Sequence, residues 1–197
     1  MDAFLDALAA KTPTPGGGAA AAVTGAIACA LGEMVAAYSI RKDADATTRS
    51  EIEHVRSGLA NCRAMLRRLT DEDAAAYQAL TEARSRMRDG AGDRVALEAA
   101  ALAAASVPLE IAAAVSTALA LLHELAPRSN KHLLSDLGAA GVLAFAAARA
   151  AETFVKVNLP SLPAGSTSRS GLASELEHVM THARTLAAAI EAFPAVG

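Results

Sequence analysis

Residues 51–80, EIEHVRSGLANCRAMLRRLTDEDAAAYQAL, carry the clearest hydrophobic period of this 197-residue chain. Apolar side chains recur there at spacings of three and four residues, which is the repeat of a helix that buries one face. The series runs Ile52, Val55, Leu59, Cys62, Leu66, Leu69, then Asp73, then Tyr77 and Leu80. The stretch predicts one long helix, from about residue 45 to 87, that packs against other helices.

The composition of the whole chain favours the same class of structure. Hydrophobic residues make up 53% of the sequence but aromatic residues only 3%, with no Trp. Alanine has the highest helix propensity, whereas strands favour β-branched and aromatic side chains. We therefore predict an all-α fold, an up-and-down antiparallel bundle of about five long helices plus short ones. The length fits a single domain over residues 1–197.

Prolines and glycines set the expected bounds of the other helices. The predicted helices are residues 2–10, 19–38, 93–125 with a bend or break at Pro108, 135–157 with Ser135 as its cap, and 172–193. In residues 19–38 the larger apolar side chains form one stripe, and small residues fill most other faces. This pattern indicates a central helix with close neighbours.

Charge and cysteine content exclude several classes of protein. A net charge of −3 and few aromatic rings argue against nucleic-acid binding. Cys29 and Cys62 fit reduced core thiols, and the N-terminus lacks the pattern of a secretory signal, so we expect a cytoplasmic protein. The most apolar segments, residues 99–109 and 111–122, are each too short to cross a membrane, and Glu110 separates them. We expect no membrane association.

Asp73 occupies a position where the helical period predicts an apolar residue. Burial raises the pKa of a carboxyl group, which is one way in which a general acid or base is made. Alternatively, the apolar stripe shifts, and Asp73 belongs to a helix start at residues 70–73, where Thr70 and Asp73 form a loose capping box. The sequence leaves both interpretations open.

Other candidates lie near predicted helix ends. Pro15, Gly16, Gly17 and Gly18 form a stiff loop before a helix, where backbone N–H groups can bind an anion or where glycine can permit close helix packing. Lys42 extends the stripe of that helix by one turn, either reaching solvent or facing the same cleft as Asp73. Further polar side chains lie at the two ends of the helix predicted over residues 135–157: Asn130, Ser135, Asp136 and Asn158. His178 and His182 lie one turn apart without a third ligand, so we predict no metal site.

In order along the chain, several short motifs resemble those of the cyclodeaminase/cyclohydrolase family of folate enzymes. They are residues 11–18 (KTPTPGGG), residues 31–35 (LGEMV), Asp73-Ala74 with Ala76-Tyr77, Val107-Pro108-Leu109, Asn130 with Ser135-Asp136, and Val157-Asn158-Leu159. The set spans almost the whole chain. This chain departs from the family at two places, with Ala19-Ala20 where relatives commonly have Ser-Val, and Phe154 where they commonly have Asn.

The resemblance implies an all-helical homodimer that binds a tetrahydrofolate derivative in a cleft near the subunit interface, without a metal or redox cofactor. It makes Lys42, Asp73 and Asp136 the expected catalytic or substrate-orienting groups. It assigns the glycine loop and Asn130, Ser135 and Asn158 to substrate binding. The implied reaction is that of a methenyltetrahydrofolate cyclohydrolase or a formiminotetrahydrofolate cyclodeaminase. The alternative is a bundle that kept the fold but lost catalysis, and became a ligand-binding or scaffold protein.

Overall fold

The computed structural model describes residues 1–193, which form helices and connecting loops without a strand in that range. The six helices are α1 (Asp2–Ala9), α2 (Gly17–Ser39), α3 (Ala46–Arg88), α4 (Arg94–Leu125), α5 (Leu134–Asn158) and α6 (Thr167–Glu191). Short 3₁₀ turns at Ala126–Arg128, Lys131–Leu133 and Leu159–Ser161 join the last three. The predicted helical bundle with five long helices is confirmed.

Helices α2, α3, α4 and α5 form a four-helix core, and α6 packs across α4 and α5. Helix α2 lies between α3 and α5. The start of α2 lies beside the end of α5, since Gly17 closely approaches Phe154. The end of α2 lies beside the chain segment that precedes α5, since the Asn130 N–H donates to Ser39 Oγ at 2.9 Å. The two helices are therefore antiparallel, and the bundle has two distinct ends.

The apolar stripe predicted on α2 lies only partly in the core. Ile27 and Tyr38 are 42% and 68% exposed, whereas Leu31 and Met34 are partly buried against the core and the small residues of the opposite face are buried. Small side chains let α3 and α5 approach the α2 backbone closely. Helix α2 is central as expected, but the face that forms its core contact is the alanine and glycine face.

Three expectations about helix ends are wrong. Thr70 and Asp73 lie in the middle of α3, so the capping-box interpretation fails; the Thr70 hydroxyl donates to the Leu66 carbonyl instead. Ser135 is not a cap, because α5 begins at Leu134 with Leu133 in the N-cap position. Lys42 does not extend α2, which ends at Ser39 and leaves Lys42 in an exposed turn.

Helix α4 runs through Pro108 without a break. By length and composition alone, three segments qualify as membrane-crossing helices: Gly17–Ser39, Arg94–Arg128 and Lys131–Ser161. The apolar segments at residues 99–109 and 111–122, each predicted to be too short to cross a membrane, both belong to the continuous helix α4, so that prediction of length is wrong. In the folded chain the three segments pack against one another as the bundle core.

Candidate functional site

A cavity of about 250 Å³ opens where the glycine loop, the middle of α3 and the end of α5 meet. Its walls come from four parts of the chain that are distant in sequence. The lining residues are Pro13, Thr14, Gly16, Gly17, Gly18, Asp73, Tyr77, Leu80, Thr81, Arg84, Ala104, Phe154, Val157 and Asn158. Asp73, the three glycines and Asn158, all candidates from the sequence, therefore share one cavity, whereas Pro15 does not line it.

The first turn of α2 holds the Asp73 carboxylate. The backbone N–H of Ala19 donates to Asp73 Oδ2 at 3.0 Å. This N–H belongs to the first turn of α2, where backbone donors have no helical partner and the helix dipole favours a negative charge. Anion binding at this helix start is one of the two roles that the sequence leaves open for the glycine loop, and the anion in the structure is the chain's own carboxylate.

Gly18 makes this contact possible. A Cβ atom at position 18 would lie 2.1 Å from Asp73 Oδ1 and 2.6 Å from Oδ2, far inside van der Waals contact. Only a residue without a side chain leaves the carboxylate room to reach the helix start. The loop glycine therefore serves close packing and the placement of an anion together.

Burial makes ionisation of the Asp73 carboxyl less favourable than it is in water. Partial burial raises the pKa of the Asp73 carboxyl above its ordinary value, and the hydrogen bond from Ala19 opposes that shift more weakly. Among the described residues no cation pairs with this carboxylate. A half-buried carboxyl with a raised pKa in a cavity is suited to accept and return a proton, or to stabilise a bound cation.

Asn158 is held in the cavity wall by a hydrogen bond to a carbonyl of α4 that has no donor within its own helix. Pro108 has no N–H, so the carbonyl of Ala104, four residues earlier, lacks its helical donor. Asn158 Nδ2 donates to that oxygen at 2.6 Å. The bond fixes which side of the amide is the donor, and it leaves Oδ1 of Asn158 as an acceptor at the cavity. The Val-Pro-Leu and Asn-Leu motifs are therefore parts of one arrangement.

Phe154 closes the cavity on the side of α5. A Cβ atom at Gly17 would lie 2.1 Å from Phe154 Cζ, so the ring rests directly against the glycine backbone. Tyr77, one turn beyond Asp73 on α3, is 49% exposed and supplies a second aromatic ring. Tyr38, the other tyrosine of the chain, lies at the opposite end of α2.

Four predicted site residues lie at that opposite end. Asn130 caps the 3₁₀ turn Lys131–Leu133 with its side chain, and its amide is 3.5 Å from the Tyr38 carbonyl. Ser135 and Asp136 lie in the first turn of α5, and Lys42 lies in the turn after α2. Twenty residues of α2 separate this end from Ala19, which is about 30 Å of helix. Within one chain, Lys42 and Asp136 do not meet Asp73.

The remaining candidate groups carry structural roles. In the described part of the chain no three His, Cys, Asp or Glu side chains lie close enough to hold a metal ion. His178 is exposed, and His182 Nδ1 lies 3.2 Å from Ser116 Oγ. Cys29 and Cys62 are buried free thiols, and burial raises the pKa of Cys29 to about 12.

Sequence reasoning missed Thr14, Thr81 and Arg84 as lining residues. Arg84 lies eleven residues after Asp73, which is three helical turns and returns to the same face of α3. That spacing was readable from the sequence once Asp73 was singled out. Thr14 was not, because the fold alone brings the loop over α3, where its hydroxyl accepts from Gln78 Nε2 at 3.3 Å.

Comparison with known proteins identifies the family. The family model described as formiminotransferase-cyclodeaminase matches residues 1–178. Methenyltetrahydrofolate cyclohydrolase of Methylorubrum extorquens is 30% identical over 190 residues, which are 94% of this chain and 91% of that protein. Formimidoyltransferase-cyclodeaminase of Mus musculus is 34% identical over 142 residues, which are 68% of this chain but 26% of that protein.

The fold agrees with the same group. The crystal structure of formiminotetrahydrofolate cyclodeaminase from Thermotoga maritima superimposes with a TM-score of 0.88 at 29% identity, covering 97% of this chain and 93% of that one. The relatives are enzymes by name, which confirms the prediction of an enzyme. By sequence and by fold, the chain belongs to the formiminotransferase-cyclodeaminase family.

Proposed function

We propose that this chain is a folate one-carbon enzyme, a methenyltetrahydrofolate cyclohydrolase. The observation that carries the proposal is the half-buried Asp73 carboxylate at the start of α2, inside a cavity that Asn158 also lines. The similarity to a cyclohydrolase over 91% of that protein's length supports this reaction. The deaminase of mouse is part of a much longer chain, of which this chain spans about a quarter.

The chemistry of the substrate suits this cavity. In 5,10-methenyltetrahydrofolate one carbon bridges two nitrogens and carries an amidinium-like positive charge. Asp73 stabilises that cation, accepts a proton as water attacks the carbon, and returns the proton to the nitrogen that leaves when the ring opens. The remaining hydroxyl proton passes to solvent as the formyl C=O forms. The carbon is already activated by its charge, so the proposed step needs no metal or redox cofactor. Asn158 Oδ1 accepts a hydrogen bond from an N–H of the pterin.

A formiminotetrahydrofolate cyclodeaminase is the second candidate. The fold similarity to the Thermotoga enzyme favours it. In that reaction N10 of the folate, rather than water, attacks the formimino carbon that N5 carries, and ammonia leaves as the five-membered ring closes. The same carboxylate serves both reactions, because both pass through a tetrahedral carbon between two nitrogens.

Loss of catalysis is the alternative that Phe154 and Ala19 raise. The Phe154 ring occupies cavity volume at a position where relatives commonly have a smaller polar side chain. Ala19 offers only its backbone N–H to Asp73. A catalytically inactive protein would retain the fold and bind a folate without converting it.

Turnover assays on the purified protein separate these functions. We expect conversion of 5,10-methenyltetrahydrofolate to the 10-formyl derivative, and loss of that conversion in Asp73→Asn. Ammonia release from 5-formiminotetrahydrofolate would instead assign the deaminase. Binding of either folate without turnover would assign the inactive alternative, and neither turnover nor binding would refute a folate function.

We further propose that the chain works as a homodimer, built on the outer face of α2 and α5. Four apolar side chains on these two neighbouring helices are exposed, Ile27 by 42%, Tyr38 by 68%, Val142 by 51% and Val157 by 66%. Exposed apolar patches of this kind mark protein interfaces or membrane contacts. The cavity volume of about 250 Å³ is below the usual range of about 300–1,000 Å³, so a second subunit would also complete an undersized site.

A two-fold axis across these helices would reverse their direction in the partner. The end of α2 in one subunit would then approach the start of α2 in the other, and the partner's Lys42 would approach the cavity. This arrangement would unite residues that are about 30 Å apart in one chain. It would also be compatible with the roles that the family resemblance implies for Asn130, Ser135 and Asp136.

The oligomeric state tests this proposal directly. Light scattering coupled to gel filtration should give a dimer for the wild type and a monomer for Val142→Glu. The matched control is Val95→Glu, which adds the same charge at an exposed position in the first turn of α4. A wild-type monomer at micromolar concentration contradicts the dimer, and recovery only with detergent supports membrane contact instead. We expect the protein to be recovered without detergent, to fold as a single domain and to be cytoplasmic.

A further inference from the structure

Arg84 is the second charged residue that lines the cavity, beside Asp73, and the proposed reaction leaves it unused. It lies on the same face of α3 as Asp73, three turns and about 16 Å further along the helix axis. Tyr77 lies between the two on that face. Along one side of the cavity, α3 therefore presents an anion, an aromatic ring and a cation in that order.

A hydrogen bond holds the guanidinium of Arg84, but no carboxylate among the described residues pairs with it. Its Nη2 donates to Ser161 Oγ at 2.7 Å, which ties it to the 3₁₀ turn after α5. Within residues 1–193 no carboxylate lies within ion-pairing distance of it. By contrast, Arg86 pairs with Glu82 and Arg63 pairs with Glu33. A guanidinium has five N–H donors, so most of those of Arg84 remain available to a ligand.

We propose that Arg84 binds the α-carboxylate of the glutamate tail of the folate and so sets the preference for glutamate-bearing substrates. The inference rests on the proposed folate function. A methenyl folate presents a cationic carbon, then an aromatic ring, then a carboxylate, which is complementary to Asp73, Tyr77 and Arg84 in order. The reacting carbon and the α-carboxylate are roughly 10 Å apart by standard bond lengths, and the flexible arginine side chain spans the rest.

Arginine is suited to this role because its planar guanidinium accepts a carboxylate in two parallel hydrogen bonds. The hydrogen bond to Ser161 restricts the guanidinium before the substrate arrives. The exposed ring of Tyr77 offers a surface on which the p-aminobenzoyl ring can stack. Arg84 is thus a specificity residue that touches the substrate far from the reacting carbon.

The test compares two substrates in four proteins. The substrates are 5,10-methenyltetrahydrofolate and the corresponding methenyltetrahydropteroate, which lacks the glutamate. The proteins are the wild type, Arg84→Gln, Arg84→Lys and the control Arg86→Gln. Arg86 lies two residues from Arg84 on the opposite side of α3, in an exposed ion pair of little energetic weight.

We expect Arg84→Gln to raise the KM for the glutamate-bearing substrate by about tenfold or more, which is the range of a charge-assisted hydrogen bond, with kcat little changed. The KM for the pteroate should not change. Arg84→Lys should recover part of the loss, because it restores the charge without the planar fork. Arg86→Gln should match the wild type on both substrates.

An equal effect of Arg84→Gln on both substrates, or none on either, overturns the inference. Loss of the substrate preference in Lys42→Gln but not in Arg84→Gln would also overturn it, because the tail would then contact the other end of the bundle. If the wild type neither converts nor binds a folate, the proposed function fails independently of the role of Arg84. Calorimetric titration with p-aminobenzoylglutamate then decides: binding that Arg84→Gln abolishes supports the inference, and no binding overturns it.

Discussion

The substitution Gly18→Ala tests the placement of Asp73 at the start of α2. The added Cβ would lie 2.1 Å from Asp73 Oδ1, whereas ordinary contact begins at 3.4 Å. The carboxylate must therefore move by more than 1 Å, which breaks its 3.0 Å hydrogen bond with the Ala19 N–H. A displacement of about 1 Å at a catalytic group costs about 100-fold, so we expect kcat/KM to fall by about that factor.

The effect on stability is the difference between two opposing contributions. The lost hydrogen bond to a charged group costs about 1.5–3 kcal/mol, and alanine in place of glycine within a helix stabilises by about 1 kcal/mol. The net expectation is a loss of about 1 kcal/mol, seen as a fall in Tm of about 2–4 °C.

The matched control is Gly171→Ala on α6, where a Cβ meets nothing within 4 Å. It should raise the free energy of unfolding by about 1 kcal/mol and leave turnover intact. Thermal unfolding and the folate turnover assay measure both variants. If Gly18→Ala is as active as the wild type and as stabilised as Gly171→Ala, the inferred role of the glycine in placing Asp73 is wrong.

Four further predictions follow from the same contacts. Asp73→Asn keeps an acceptor for the Ala19 N–H but removes a carboxyl group whose pKa is raised by burial. The ionised carboxylate lowers the free energy of unfolding at pH values above that pKa, and this loss disappears as the pH falls through it. Denaturant unfolding should therefore show that the inactive variant is more stable than the wild type at pH 8, and that the difference shrinks in acid. Pro108→Ala supplies an N–H to the Ala104 carbonyl and so releases the Asn158 side chain. In a double-mutant cycle its rise in KM should therefore not add to that of Asn158→Ala. Additive effects would contradict the inference that Pro108 acts through Asn158. Phe154→Asn should change the ratio of cyclohydrolase to cyclodeaminase turnover by about tenfold, as one lost or gained hydrogen bond to substrate does; an unchanged ratio would remove Phe154 from specificity. Cys29, with a pKa of about 12, should resist iodoacetamide at pH 8 in the native state and react only after unfolding, as mass spectrometry would show.

Helical period and composition were enough to predict most of the fold. The long helix α3 was predicted to within about one residue at each end, because its apolar repeat has no interruption other than Asp73. The helix starts were less accurate: Ser135 is a good capping residue but lies just inside α5, which follows directly on the 3₁₀ turn Lys131–Leu133 and has Leu133 in the N-cap position.

The orientation of α2 was the harder problem. Hydrophobicity alone indicates that the stripe containing Ile27 and Tyr38 faces the core, yet the alanine and glycine face does. Small residues contribute little to a hydrophobic pattern but allow the closest approach of helices, and that advantage is visible only once neighbouring helices are placed.

The sequence by itself determined the helical class, the family motifs and the anomaly of Asp73, because these are local properties of spacing and side-chain type. The tertiary structure alone decided which of the candidates meet. It brought Asp73, Gly18 and Asn158 to one cavity and added Arg84, while it left Lys42, Asn130 and Asp136 about 30 Å away at the other end of α2. The physical reason is that antiparallel helices bring residues distant in sequence together at each end, and which residues share an end depends on how the helices pack.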